Sequence, residues 1–173
     1  MRAHSWQRVL PGLALPGVAA LLFGFTAPPQ QLPIEARWCL DSSRCILLEV
    51  ADESHEKSKG LQLRDPLPPL RGMWFPFSPP SLARFWMHHT LEPLDMLFVR
   101  GGRVVAIEAY AAPCLHLPCR SYGPDEPVDG VVELAGGQAE ALGIAVGSPV
   151  RIEPVTITPK QPQARPPSGR APD

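Results

Sequence analysis

Between Ile34 and Val155 the apolar residues come in short runs separated by Gly, Pro, Asp and Ser. The runs read IEARWCL, RCILLEVA, MWFPF, RFWM, LDMLFV, RVVAIEAY, VDGVVEL and PVRIEPV. Their length and their β-branched and aromatic content predict strands, and Gly101-Gly102 predicts a tight hairpin between two of them. Two short helices fit the remainder. Asp52 is placed to cap the first, with Glu53 and Glu56 early in it and Lys57 and Lys59 late, as the helix dipole favours. The second is expected from Gly137 to Leu142, closed by Gly143. The expected fold is α+β and β-rich: a small barrel-like β domain with two short helices and no internal repeat.

The two ends lack this pattern. Arg2 and Arg8 precede an uncharged apolar stretch from Val9 to Ala27, so residues 1–27 read as a signal peptide or an N-terminal membrane anchor. A cut after Ala27 would leave Phe25 where a small residue is wanted, and a cut after Ala20 falls early in the apolar run. Both the cleaved and the anchored forms therefore stay open. Residues 28–33 form a proline-rich spacer, 34–155 the single domain, and 156–173 a proline-rich tail expected to be disordered. The location implied is extracytoplasmic: periplasmic, secreted or held at the membrane by the N-terminus.

Composition narrows the function classes. The 173 residues suffice for one domain, and 23 of them are proline, far above the usual ~5%. That excludes long helices and helical repeats. A net charge of −1 provides no basic field for nucleic acid, so no nucleic-acid partner is expected. Four cysteines follow the export-like segment. If Asp41-Ser42-Ser43 forms a turn, Cys39 faces Cys45 across a hairpin, and Cys114 and Cys119 flank a similarly short loop. Two local disulfides are expected. Zinc is the rival, because His116 lies between Cys114 and Cys119, but no second cysteine pair has zinc-like spacing. No metal and no cofactor are expected.

The central stretch carries a family resemblance. Gly60, Leu61 and Arg64 are followed by Gly72, Met73 and Phe75, then by Phe85-Trp86-Met87 with Thr90, and by Pro93-Leu94-Asp95 with Phe98. Pro113, Cys114, Cys119, Tyr122, Glu133, Leu134, Gly137, Gly143 and Gly147 continue the order. This pattern closely resembles the domain of unknown function 192 family, also called uncharacterised protein family 0127, over about Val50 to Val150. The resemblance implies a compact barrel-like α+β fold, often exported, and no established activity. Three departures stand out: Gln62 in place of a methionine, His88-His89 in place of Lys-Asn, and Ser148 in place of an aspartate.

Candidate ligand-binding residues are Arg64, Trp86, His88, His89, Thr90, Asp95 and Tyr122. On a strand, Phe85 and Met87 face one way and Trp86 and His88 the other. Trp86, an imidazole, Thr90 and Asp95 could then line an apolar pocket with a polar rim. The plainer reading makes these aromatics core and sheet-edge residues. Asp95, inside an apolar run, needs hydrogen bonds or a cation; Arg64, Thr90 or backbone N–H groups of the preceding turn could supply them. No second carboxylate stands at a glycosidase-like spacing from it. The function expected is a non-catalytic envelope module that binds a small ligand or another envelope protein. The alternative is a hydrolase or metal-dependent enzyme around Asp95 and His88/His89.

Overall fold

The structure is a computed structural model that describes residues 28–155. Its strands are β1 (Ile34–Cys39), β2 (Cys45–Val50), β3 (Arg71–Ser81), β4 (Phe85–Trp86), β5 (Leu94–Arg100), β6 (Arg103–Ala111), β7 (Ser121–Tyr122), β8 (Val128–Ala135) and β9 (Ile152–Pro154). The helices are α1 (Ser54–Lys59) and α2 (Gln138–Ala141). The sequence 1–27 and 156–173, on which the signal, anchor and tail readings rest, lies outside the described residues.

Seven strands form one sheet in the order β6-β5-β8-β3-β2-β1-β9, and β4 and β7 pair separately. The sheet is mostly antiparallel; β2 and β3 are parallel, with α1 in their connection. The expectation of a barrel is corrected to an open sheet, because no continuous ladder joins its two edge strands. The segment before β9 only touches β6 and the turn leading into it, through Val104 N–H to Ser148 at 3.0 Å, Gly147 N–H to Val104 at 2.7 Å and Val150 N–H to Gly102 at 2.8 Å.

Both sheet faces are covered, which is why the interior strand β5 is buried from Leu94 to Val99 and reads as an almost unbroken apolar run. One face packs Trp38, Ile46, Leu48, Leu97, Val132 and Leu134 against Ala139 of α2 and Ile144. The other packs Met73, Phe75, Met96, Phe98 and Val131 against Leu61, Met87 and Tyr122. Gly101 and Gly102 both take positive φ in the β5–β6 hairpin, as that turn requires. Asp52 does not cap α1. Glu53 is the N-cap residue, and Glu56 accepts the N–H groups of Glu53 at 3.1 Å and Asp52 at 3.2 Å.

Cys39 pairs with Cys45 and Cys114 with Cys119 in disulfides. The first closes the β1–β2 hairpin in the expected register. Asp41 holds its turn by accepting from Arg44 Nε at 2.7 Å and from Ser43 and Arg44 N–H at 2.8 Å each. Those donors hold its carboxyl far below the usual carboxylate range. Two disulfides suggest an oxidising, extracytoplasmic environment. Among the described residues no helix is long and apolar enough to cross a membrane.

Candidate functional site

Three carboxylates are buried in the two cores, and each is treated differently. Glu49 on β2 takes a bidentate pair from Arg64 at 2.7 and 2.8 Å and the N–H of Leu32 at 2.9 Å. Asp95 on β5, 0% exposed, accepts three backbone N–H bonds, from Tyr110 at 2.9 Å, Gly137 at 3.0 Å and Ala139 at 2.8 Å. Glu133 on β8, 4% exposed, has no hydrogen-bond or ion-pair partner among the described residues. Its burial, uncompensated by any donor, pushes its pKa up to about 8. A carboxylic acid is therefore kept neutral at pH 7.

Glu133 opens into a cleft of about 450 Å³. One wall is α1 and the turn after it (Lys57 to Gln62), and the other is Phe75 and Phe77 of β3 with the segment Leu82 to Trp86. Phe85 packs edge-on against Phe75, centroids 5.0 Å apart, and Phe98, 6.4 Å apart. That contact anchors the second wall to the core. Thr90, a buried residue, also lines the cleft. Lys57, Lys59 and Arg84 stand at the cleft as well, and Lys57 Nζ lies 5.7 Å from the Phe77 ring centroid. Arg84 donates to the Pro124 carbonyl at 2.6 Å and to Asp125 at 2.7 Å. Such a cleft, lined by aromatic rings and polar side chains in nearly equal measure and holding one strongly shifted acid, has the make-up of a ligand site.

The candidates named from sequence divide. Trp86, 49% exposed, and Thr90 line the cleft together. His88 lies tilted against Trp86, ring centroids 5.1 Å apart, and His89 stacks on His88 at 3.8 Å, but neither lines the cleft. His89 takes φ +56, and the turn it makes brings two adjacent rings onto one side. Tyr122 is a core residue, paired across to Phe85 and covered by the Arg120 guanidinium 4.8 Å away. Arg64 serves Glu49, so of the partners considered for Asp95 it is ruled out. Asp95 is held by backbone donors instead, and they come from β6 and the start of α2, not from the preceding turn. It also points to the opposite sheet face from Met96, so it shares no pocket with Trp86. Strand alternation decides that separation.

Sequence reasoning named Glu133 as part of the family pattern but not as a site residue. In VVELA the glutamate interrupts an apolar strand, just as Asp95 does in LDML, and that interruption is the signal that could have found it. The departures from the family pattern also have places here. Gln62 lines the cleft and donates to the Ser58 carbonyl at 2.8 Å, and Ser148 Oγ accepts the Ala145 N–H at 2.9 Å, holding the turn. Among the described residues no three His, Cys, Asp or Glu side chains are grouped to hold a metal.

Comparison with known proteins bears on this architecture. A protein of unknown function from Novosphingobium aromaticivorans DSM 12444 is 33% identical with a TM-score of 0.59, over 73% of this chain and 93% of its own. A protein from Sinorhizobium meliloti 1021 described as a putative transcription regulator is 31% identical with a TM-score of 0.57, over 69% and 92%. No curated protein matches. The family described as DUF192, Uncharacterized ACR, matches residues 38–152, most of the chain and nearly the whole sheet. The protein belongs to the DUF192 family.

Proposed function

We propose that the protein is an exported, non-catalytic binding module that takes a small ligand in the Glu133 cleft. The observation that carries this reading is Glu133, a buried residue whose carboxyl has no partner among the described residues and faces a cleft of about 450 Å³. Folding gains nothing from a desolvated acid without donors, so a bound partner is the natural compensation. Trp86 and Thr90 keep their candidate role at this cleft. Asp95 moves from the site to the scaffold, which removes the residue around which a hydrolase was considered. The regulator description of the Sinorhizobium relative finds no support in a net charge of −1, since DNA binding draws on a basic field.

A thermal-shift screen of small organic compounds against the full-length, disulfide-bonded protein tests the reading. Hits should raise Tm and should bind at least several-fold more weakly to Trp86→Ala and Thr90→Val variants that remain folded. If no compound binds, or if hits bind both variants as well as the parent, the cleft is not the site.

A further inference from the structure

The way the chain enters the domain limits where its uncharged N-terminal stretch can lie. Gln30 donates its side-chain amide to the carbonyls of Glu56 at 2.9 Å and Gly60 at 3.0 Å. Those carbonyls belong to the last turn of α1, which is one wall of the cleft. Leu32 follows, packed against the core on the cleft side of the sheet, with its N–H on Glu49 at 2.9 Å. Only Pro28 and Pro29 separate Gln30 from Ala27, where the charge-free apolar stretch that starts at Val9 ends. Three Cα–Cα steps reach no more than about 11 Å. Whatever surroundings hold Val9 to Ala27 therefore begin beside the cleft.

The same side of the molecule carries large apolar side chains that neither core uses. Leu82, 59% exposed, and Trp86 stand on the cleft wall opposite α1. Leu115 and Leu117, 53% and 62% exposed, project from the Cys114–Cys119 loop. Backbone hydrogen bonds tie that loop to the Trp86 segment: Cys114 N–H donates to the Met87 carbonyl at 3.1 Å, and His89 N–H to the Cys114 carbonyl at 3.0 Å. Leu63 N–H donates to the His89 carbonyl at 2.8 Å, which joins this framework to the turn after α1. The entry point of the chain and four exposed apolar residues thus belong to one hydrogen-bonded region. Exposed apolar groups gathered in this way mark a contact surface.

We propose that the N-terminal stretch holds the domain on a phospholipid bilayer and that Leu82, Trp86, Leu115 and Leu117 lie against that bilayer, with the cleft opening toward it. Val9 to Ala27 comes close to the ~20 apolar residues that a spanning helix needs. Trp86, with an apolar ring and one N–H donor, suits the membrane–water interface, where indoles concentrate. The short lead fixes the orientation: with Gln30 hydrogen-bonded to α1, the opposite face, where α2 packs, is turned away from the membrane. This placement does not depend on what fills the cleft, so it and the ligand reading stand or fall separately.

The test uses the full-length protein, purified from the membranes of an exporting host and reconstituted in phosphatidylcholine vesicles with or without bromine near the headgroup end of the acyl chains. Bromine quenches an indole that touches it, and the emission lost in Trp86→Phe is that of Trp86. Brominated lipid should reduce the Trp86 emission by about half or more. Leu82→Trp in the Trp86→Phe background is a second probe of the same face and should be quenched alike. Val146→Trp in that background probes the opposite side, since Val146 is 63% exposed and follows Ile144 of the other core. It should lose less than about a tenth of its emission. Circular dichroism establishes that each variant is folded. Unquenched Trp86 and Leu82→Trp, or equal quenching of Val146→Trp, would overturn the proposal. Emission from Trp86 that follows protein concentration and not bromine would mean that a second copy covers this face, which also overturns it. So would recovery of the protein from the host in soluble form without residues 1–27.

Discussion

Asp95 and Glu133 sit on neighbouring strands, where Asp95 pairs with Leu134 and Met96 with Glu133. They point to opposite faces of one sheet, and both are buried. Around Asp95 three backbone N–H groups converge, tying β5 to β6 and to the start of α2. Around Glu133 no donor converges among the described residues, and a cleft of aromatic and polar side chains opens in front of it. The first carboxylate is spent on the scaffold; the second is left for something outside it. Burial alone therefore does not identify a functional acid. What identifies it is burial without partners beside open volume.

The contrast predicts substitutions of opposite sign. The largest effect should be Asp95→Ala, which strands three buried N–H groups and should cost about 3–5 kcal/mol. Urea unfolding of the oxidised protein measures it, and a cost under about 1 kcal/mol would show that water replaces the carboxylate. Glu133→Gln should instead stabilise. The folded pKa of about 8 lies above the reference value of 4.5, so the native state keeps a proton that the unfolded chain releases between those values. The stability tied to Glu133 is therefore fully present below pH 4.5 and is lost as pH rises toward 8. Removing the acid should gain about 1–3 kcal/mol at pH 8, after the cost of burying an amide, and nothing at pH 4.

Gly137 sharpens the Asp95 side of the comparison. It takes φ +82, and an added Cβ would collide with the Tyr110 hydroxyl. Tyr110 is exposed and can swing away, so Gly137→Ala should cost about 1–2 kcal/mol, mostly from the backbone conformation. Thermal unfolding compared with Gly143→Ala, where an added Cβ meets nothing at a similar φ of +71, separates strain from collision. The smallest effect should be Trp86→Ala. Trp86 is half exposed at the cleft, so stability should move by no more than about 0.5 kcal/mol while ligand affinity falls.

Much of the sheet was legible in the sequence. The runs around Cys39, Cys45, Phe98, Val104 and Val131 have strand length and period, and the Gly101-Gly102 turn and both disulfides follow from local spacing. The open sheet was not legible, because closure depends on how the segment around Ser148 meets β6, a contact about 45 residues away in sequence that no local pattern encodes. The Ser121–Tyr122 strand was too short to show a period. In the site, alternation placed Trp86 outward and Phe85 inward. Only the partners of each carboxylate tell a keystone from a binding group, however, and partners come from tertiary structure. Asp95 drew attention through its apolar neighbours, while Glu133, with the same kind of neighbours, lies in a strand that reads simply as core.

The most direct test is the ionisation of Glu133 itself. ¹³C NMR of the glutamate side-chain carboxyls in the full-length oxidised protein, assigned with Glu133→Gln, follows that one group through pH 4 to 10. A midpoint near pH 8 is the predicted result. Ionisation in the ordinary range near 4.5 would mean that water or a neighbouring group already satisfies the carboxyl, and the cleft would lose the feature on which its assignment rests.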